Sequence, residues 1–355
     1  MAPQQLLGFG LLLLGAICGG SFGLPSKYAK KDTPWEVLWG PFFFIVTLVI
    51  PLIVAPLVVH DLSGIYARVG LSTIVLVLVF GFLWGLGSMT LGMSFAFIGL
   101  SLAYALNYGA QIVFGSMMPM LLFHRDQILT PHGYVILAGV AVCVVGVIVC
   151  GRAGILKDRS PRQDATAVAN VGPAGGAPPN MLIGLLIGVL SGILCACYAV
   201  ASGYATTIGV EASKSHNPDW AAAWAVTAMI LWGGAVSSCL YCVVQLTRNK
   251  TWSHLAKPGA GLVLRLATVM AVLHDAAIFF FGLGWINVGD LGVPVGYPVF
   301  MSFAIIMGNI HGFRTGEWKH ASRQSVTWIV AGIGLLIIGV CILAAGNSMM
   351  PRSAP

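Results

Sequence analysis

The chain alternates long apolar runs with short polar connections. Ten runs are distinct: roughly Gln5 to Ser26, Trp35 to Val59, Leu71 to Phe97, Gly99 to Phe123, Gly133 to Gly151, Met181 to Ile208, Asp219 to Leu246, Gly261 to Ile286, Leu291 to Phe313 and Ser325 to Ala345. At about 1.5 Å per residue each can cross a hydrocarbon core of roughly 30 Å. The pattern predicts an all-α polytopic membrane protein with ten transmembrane helices. The third and fourth runs meet at Ile98 and Gly99, which predicts a tight helical hairpin. The first run has no basic segment before it and no Ala-x-Ala exit, so it reads as a retained helix and not a cleaved signal peptide.

The connection from Arg152 to Asn180 departs from this pattern. It opens with Arg152, Lys157, Arg159 and Arg162 and ends in VGPAGGAPP, a composition that cannot bury a core and reads as a flexible linker. It divides the chain into a first five-helix half (1–151), a linker (152–180) and a second five-helix half (181–355). The halves share small-residue spacings. Gly15 and Cys18 match Gly192 and Cys195, Gly92 and Gly99 match Gly282 and Gly289, and Ala138-Gly139 with Gly146 matches Ala331-Gly332 with Gly339. Five is odd, so the second copy must enter the membrane upside down. A five-plus-five inverted repeat is a transporter signature, with the substrate near the midplane.

Composition agrees with this pattern and limits the function classes. The chain is 58% hydrophobic and 8% charged, with mean hydropathy +0.91. That is more apolar surface than one soluble core of this size takes in. The net charge of +7 is spread over short loops, so it reports orientation in a bilayer and not nucleic-acid binding. Fourteen of the 18 Lys and Arg follow odd-numbered runs, which predicts those loops on the cytoplasmic side and both termini outside. The eight cysteines lie in apolar segments without disulfide or zinc spacing. No Walker loop, Ser-His-Asp set or metal-spaced cluster appears, so neither an enzyme, a cofactor nor a metal is expected.

Candidate chemistry centres on VLHDAAIFFFGLGWINVGD, residues 272–290. Of the 11 acids, nine lie in connections or at helix ends, Asp290 lies at a helix boundary, and Asp275 alone is deep in a run, with His274 beside it. An acid at that depth costs several kcal/mol and marks either a functional site or a helix-packing hydrogen bond. Its neutral form is favoured away from water, which fits a proton-coupling role for Asp275 with His274 as helper. His274 is offset by about 100° of helix rotation and need not face the same way.

Tyr104, Asn107 and Gln111 share one helical stripe. Their amides suit a neutral polyhydroxylated ligand, or else interhelical hydrogen bonds. Tyr198, Ser202 and Thr206 form a second, less specific stripe. Trp84 and Trp285 occupy corresponding helices and could stack on a sugar or sit at an interface. The run Gly292-Val-Pro294-Val-Gly296-Tyr297-Pro298 should unwind the outer half of the ninth helix and add Tyr297 to the substrate set. The histidines at 60, 124, 132, 216, 254, 311 and 320 lie at ends or loops, where solvated roles are expected.

Several stretches resemble the bacterial L-rhamnose–proton symporter family of the drug/metabolite transporter superfamily. They are LLGAICGGSFGLPSKYAKK (13–31), WEVLWG (35–40), FGFLWGLGSMTLGMSFAFIGLSLAYAL (80–106), FFFGLGW (279–285) and GEW (316–318). The most specific part runs from Trp84-Gly85-x-Gly87 through Gly92 to Gly99-x-Ser101. The resemblance implies ten helices in an inverted repeat and proton-driven uptake of a deoxyhexose across the inner membrane. His274-Asp275, Asn107 and the Pro-Val-Gly-Tyr-Pro run are not part of that resemblance.

Together these features predict a secondary active transporter working by alternating access. Its expected partners are a small neutral sugar such as L-rhamnose, a proton and the lipid bilayer. Sodium is the rival ion, but one carboxylate without a second acid would leave a sodium site reliant on carbonyls and hydroxyls. An exporter or exchanger of another polar metabolite, or a sugar receptor that moves nothing, are the alternatives; the paired halves argue against a receptor.

Overall fold

The computed structural model describes residues 3–30, 32–123, 125, 128–158, 180–288 and 297–349. Its helices are α1 (Pro3–Ser21), α2 (Trp35–Phe44), α3 (Ile50–Val58), α4 (Leu62–Val69), α5 (Leu71–Phe123), α6 (Pro131–Asp158), α7 (Met181–Cys195), α8 (Cys197–Tyr204), α9 (Thr206–Lys214), α10 (Asp219–Arg248), α11 (Ala260–Val288), α12 (Tyr297–Arg314) and α13 (Arg323–Ser348). No strand occurs among the described residues. Eight of the described helical runs are long and apolar enough to cross a membrane. Large apolar side chains such as Leu57, Leu186, Leu190 and Leu240 are exposed, as they must be where the surrounding solvent is lipid. This is a multi-pass membrane protein.

Local sequence explains where the helices bend. At 53 residues, α5 would extend about 80 Å if straight, far beyond a bilayer. It is broken at Gly99, whose φ of 82° and ψ of 171° are non-helical. A side chain there would be strained, so glycine is required. The second apolar run is not one regular helix either. Pro51 lacks an N–H and its ring crowds the carbonyl four residues earlier, and the turn before it, Ile45–Val49, is widened into a π-helix. Thr47 Oγ1 donates to the Phe43 carbonyl at 2.6 Å within that turn. The sixth run is divided into α7, α8 and α9, with breaks at Ala196 and Ala205. Asn180 caps α7 by accepting from the Leu182 N–H at 2.9 Å.

The contacts divide the protein into two compact units. The first holds the described residues of Met1–Ser21, Leu100–Asp164 and Ala276–Pro355; the second holds those of Phe22–Gly99 and Ala165–Asp275. In the first, α1 packs on α12 and α6 packs along α13. Gly139 on α6 abuts Gly339 and Leu343 of α13, and Gly146 abuts Leu336. On the other side, Gly332 abuts Cys150 and Gly339 abuts Cys143. Residue numbers rise along one helix as they fall along the other, so the pair is antiparallel. Small residues bring the two backbones together where no hydrophobic drive exists between helices. In the second unit α10 is the central element, packed on α2, α3, α8 and α9.

Candidate functional site

The second unit contains the intramembrane carboxylate. Asp275 on α11 is 5% exposed. Its Oδ1 lies 3.2 Å from His274 Nδ1, within hydrogen-bond reach. Its Oδ2 is buried and has no hydrogen-bond partner among the described residues. The His274 ring is held by three aromatic rings from three different segments. Phe22 lies 5.3 Å away and Phe42 6.0 Å, both edge-on at 84°, and Trp84 of α5 lies 6.0 Å away, tilted by 47°. His274 therefore contacts both its neighbour Asp275 and other helices, although one position along a helix normally turns a side chain to another face.

Trp84 extends this cluster to α8. It meets Tyr198 at 5.9 Å in an edge-on arrangement, and Cys195 and Leu231 pack around it. Tyr198 Oη lies 3.4 Å from Thr227 Oγ1 on α10. Ser202 is half-buried, and its hydroxyl donates to the Tyr198 carbonyl at 2.9 Å. Thr206 does not continue the stripe predicted from sequence. The break at Ala205 turns it out, and it is exposed, donating to the Gly203 carbonyl.

The first unit contains the amide stripe. Tyr104 and Asn107 are fully buried on α5. Gln111 Nε2 donates to Asn107 Oδ1 at 2.6 Å. Tyr104 stacks on Tyr108 at 5.4 Å, and Tyr108 Oη donates to the Gly19 carbonyl of α1 at 3.0 Å. The side chains of Trp285 and Tyr297, and the run Leu291 to Gly296, lie outside the described residues.

Burial does not single out Asp275 as the sequence did. Glu36, at the start of α2, is 1% exposed; its Oε1 accepts from Asn249 Nδ2 at 3.0 Å and Thr251 Oγ1 at 2.9 Å. Glu317, expected in a connection or at a helix end, accepts the backbone N–H groups of Leu100 at 2.7 Å and Ser101 at 3.0 Å. His132 and His311 are buried, against the expectation for loop histidines, and His311 Nε2 lies 2.8 Å from Ser21 Oγ. The sequence signal for Glu317 was the GEW triplet at 316–318, which carried a resemblance without a role. Nothing in local sequence marked His311.

Comparison with known proteins gives a consistent result. Residues 1–349 match the family model described as L-rhamnose-proton symport protein. The L-rhamnose-proton symporters of Yersinia pestis (strain Pestoides F) and Yersinia pseudotuberculosis serotype O:1b (strain IP 31758) are 26% identical over 348 residues, covering 96% of this chain and 98% of each relative. No solved structure gives a significant match.

Proposed function

The chain belongs to the L-rhamnose-proton symport protein family, a family of transporters and not of enzymes, and we propose that it takes up L-rhamnose or a similar neutral deoxyhexose by proton-driven alternating access. The observation that carries the coupling is the unpartnered Oδ2 of Asp275. A buried carboxylate oxygen without a donor is costly. A proton bound to Oδ2, or a sugar hydroxyl donating to it, removes that cost, and both belong to a symport cycle.

In this scheme Asp275 Oδ2 takes the proton and His274 holds Oδ1. The apolar face of Trp84 packs against the sugar's C–H groups, while Tyr198 and Ser202 supply hydroxyls. Tyr104, Asn107 and Gln111 supply a phenol and two amides, with Gln111 released from Asn107 to reach the ligand. Trp285 and Tyr297 complete the proposed substrate set.

Ten crossings in two inverted halves fit this scheme. The Gly99 break makes two spans of α5, and α12 adds one to the eight apolar runs. The antiparallel pairing of α6 with α13 also supports the repeat. Gly139 and Gly332, equivalent in the two halves, each meet the residue equivalent to the other's neighbour (Leu343 and Cys150). The distribution of basic residues supports a cytoplasmic membrane location with both termini and the even-numbered loops on the periplasmic side.

The test is Asp275→Asn in proteoliposomes with labelled L-rhamnose. The variant should bind and exchange sugar yet lose accumulation driven by a pH gradient. If it still concentrates rhamnose, or if accumulation in the wild type follows sodium and ignores pH, the coupling scheme is wrong.

A further inference from the structure

Two sequence motifs were left without a role, Gly99-x-Ser101 and Gly316-Glu317-Trp318; Leu100 and Ser101 of the one meet Glu317 of the other within the first unit. They are joined by hydrogen bonds between residues more than two hundred positions apart. The α5 helix restarts at Leu100 after the left-handed Gly99, so its first N–H groups have no partner within the helix. Glu317 supplies the acceptor: Oε1 takes the Leu100 N–H at 2.7 Å and Oε2 takes the Ser101 N–H at 3.0 Å. A carboxylate at a helix N-terminus is favoured both by these bonds and by the helix dipole.

Glu317 is aimed by the way α12 ends. Gly316, with φ of 78°, reverses the chain. The Glu317 N–H returns to the Gly312 carbonyl at 3.0 Å and the Gly316 N–H to Phe313 at 3.1 Å, the paired bonds of a Schellman end. Trp318 is 5% exposed and anchors the turn, stacked on Phe313 at 5.8 Å with the Lys157 ammonium 4.7 Å above its ring.

Two further contacts fix the rotation of the restarted helix. Ser101 Oγ donates to Asn309 Oδ1, and Asn309 Nδ2 is itself tied to the Ile305 carbonyl at 2.9 Å. Gly308 admits Tyr104, since a Cβ there would lie 2.6 Å from Tyr104 Cγ. Asn107 and Gln111 follow two and three turns after Leu100 on the same rigid helix. A small rotation at the first turn would carry both amides away from a ligand.

We propose that Glu317 is a positioning residue of the sugar site, clamping the start of the helix that presents Tyr104, Asn107 and Gln111. This rests on the proposal that Asn107 contacts sugar, and it adds a residue that touches no ligand. The α12–α13 turn becomes the fixed end from which that helix is set.

The experiment measures equilibrium L-rhamnose binding to the purified full-length protein, per folded molecule, for Glu317→Ala, Asn107→Ala and the double variant. Glu317→Ala should weaken binding per folded molecule about tenfold, the scale of one lost hydrogen bond to the ligand, and should also lower the melting temperature, because two helix N-terminal N–H groups lose their acceptor. Because it acts through the amide stripe, it should add nothing in the Asn107→Ala background. Glu317→Gln, whose single amide oxygen can accept one N–H, should fall between wild type and alanine, and it serves if the alanine variant does not fold. Unchanged affinity for both Glu317 variants, or losses that multiply in the double variant, would overturn the positioning role. Asn107→Ala binding like wild type would instead remove the sugar contact on which the role depends.

Discussion

At the scale of single residues, four carboxylates show how acids are satisfied in this protein. Glu211 is near the surface, where Arg68 Nε donates to it at 2.7 Å while also holding Asp61 at 2.9 Å. Glu36 and Glu317 have neutral donors from side chains and backbone. Asp275 has His274 on one oxygen and, among the described residues, no partner on the other. Of these four, Asp275 is the one whose buried oxygen lacks a partner among the described residues, which is why the proposed coupling is placed there. Glu211 gives a prediction of the opposite kind. Its hydrogen bond from Arg68 holds its carboxyl below the usual carboxylate range. A folded value below the unfolded one stabilises the protein above the ordinary Glu range, and that contribution fades as pH falls through the lowered folded value. Glu211→Gln should therefore lower the melting temperature slightly at neutral pH, with the gap to wild type closing below about pH 4. A gap that persists or grows in acid would show that Glu211 stabilises by some other contact.

At the scale of elements, glycine placement decides which helices approach. Along α6 and α13 the glycines face one another's backbones. A Cβ on Gly139 would meet the Leu343 backbone nitrogen at 2.8 Å, which no rotamer change relieves. On the same pair of helices Gly334 faces open space, with nothing within 4 Å of an added Cβ. Gly139→Leu should separate the pair and cost about 1–3 kcal/mol of stability or more, while Gly334→Leu should be tolerated. Thermal unfolding of the two variants in the same detergent checks this. Equal losses would mean that the close approach at Gly139 does not set the cost, since leucine improves helix propensity over glycine at both positions. The same reasoning explains why α12 carries Gly308 and Gly312 opposite Tyr104 and Ser101, where a helix bearing only bulky residues would stand off from α5.

At the scale of the whole molecule, the ten crossings expected from sequence would divide the 18 basic residues fourteen to four between the two sides of a bilayer. The positive-inside bias expects the connection between the two halves in the cytoplasm. A single cysteine placed at Ala174, in a background with the eight native cysteines replaced, should not react with an impermeant thiol reagent added outside whole cells. It should react after permeabilisation. Labelling from outside would reverse the orientation and with it the direction assigned to the proton step. Position 174 lies outside the described residues, so this is a test of charge distribution alone.

The membrane class, the spacing of the apolar runs, the isolation of Asp275 within one of them and the family resemblance all follow from the amino-acid order. Hydrophobic periodicity and charge bias are local quantities that need only a window of sequence. Whether a polar group is satisfied depends on residues far away in the chain, and that only the tertiary structure decided. Glu36 reads as a helix-end acid until Asn249 and Thr251 are placed against it. Glu317 reads as a loop acid until the Leu100 N–H arrives from 217 positions away. Thr206 reads as the third member of a stripe until the backbone breaks at Ala205. Sequence located the acids and amides; folding determined which had their hydrogen bonds filled, because that depends on which distant donors the packed helices bring within about 3 Å.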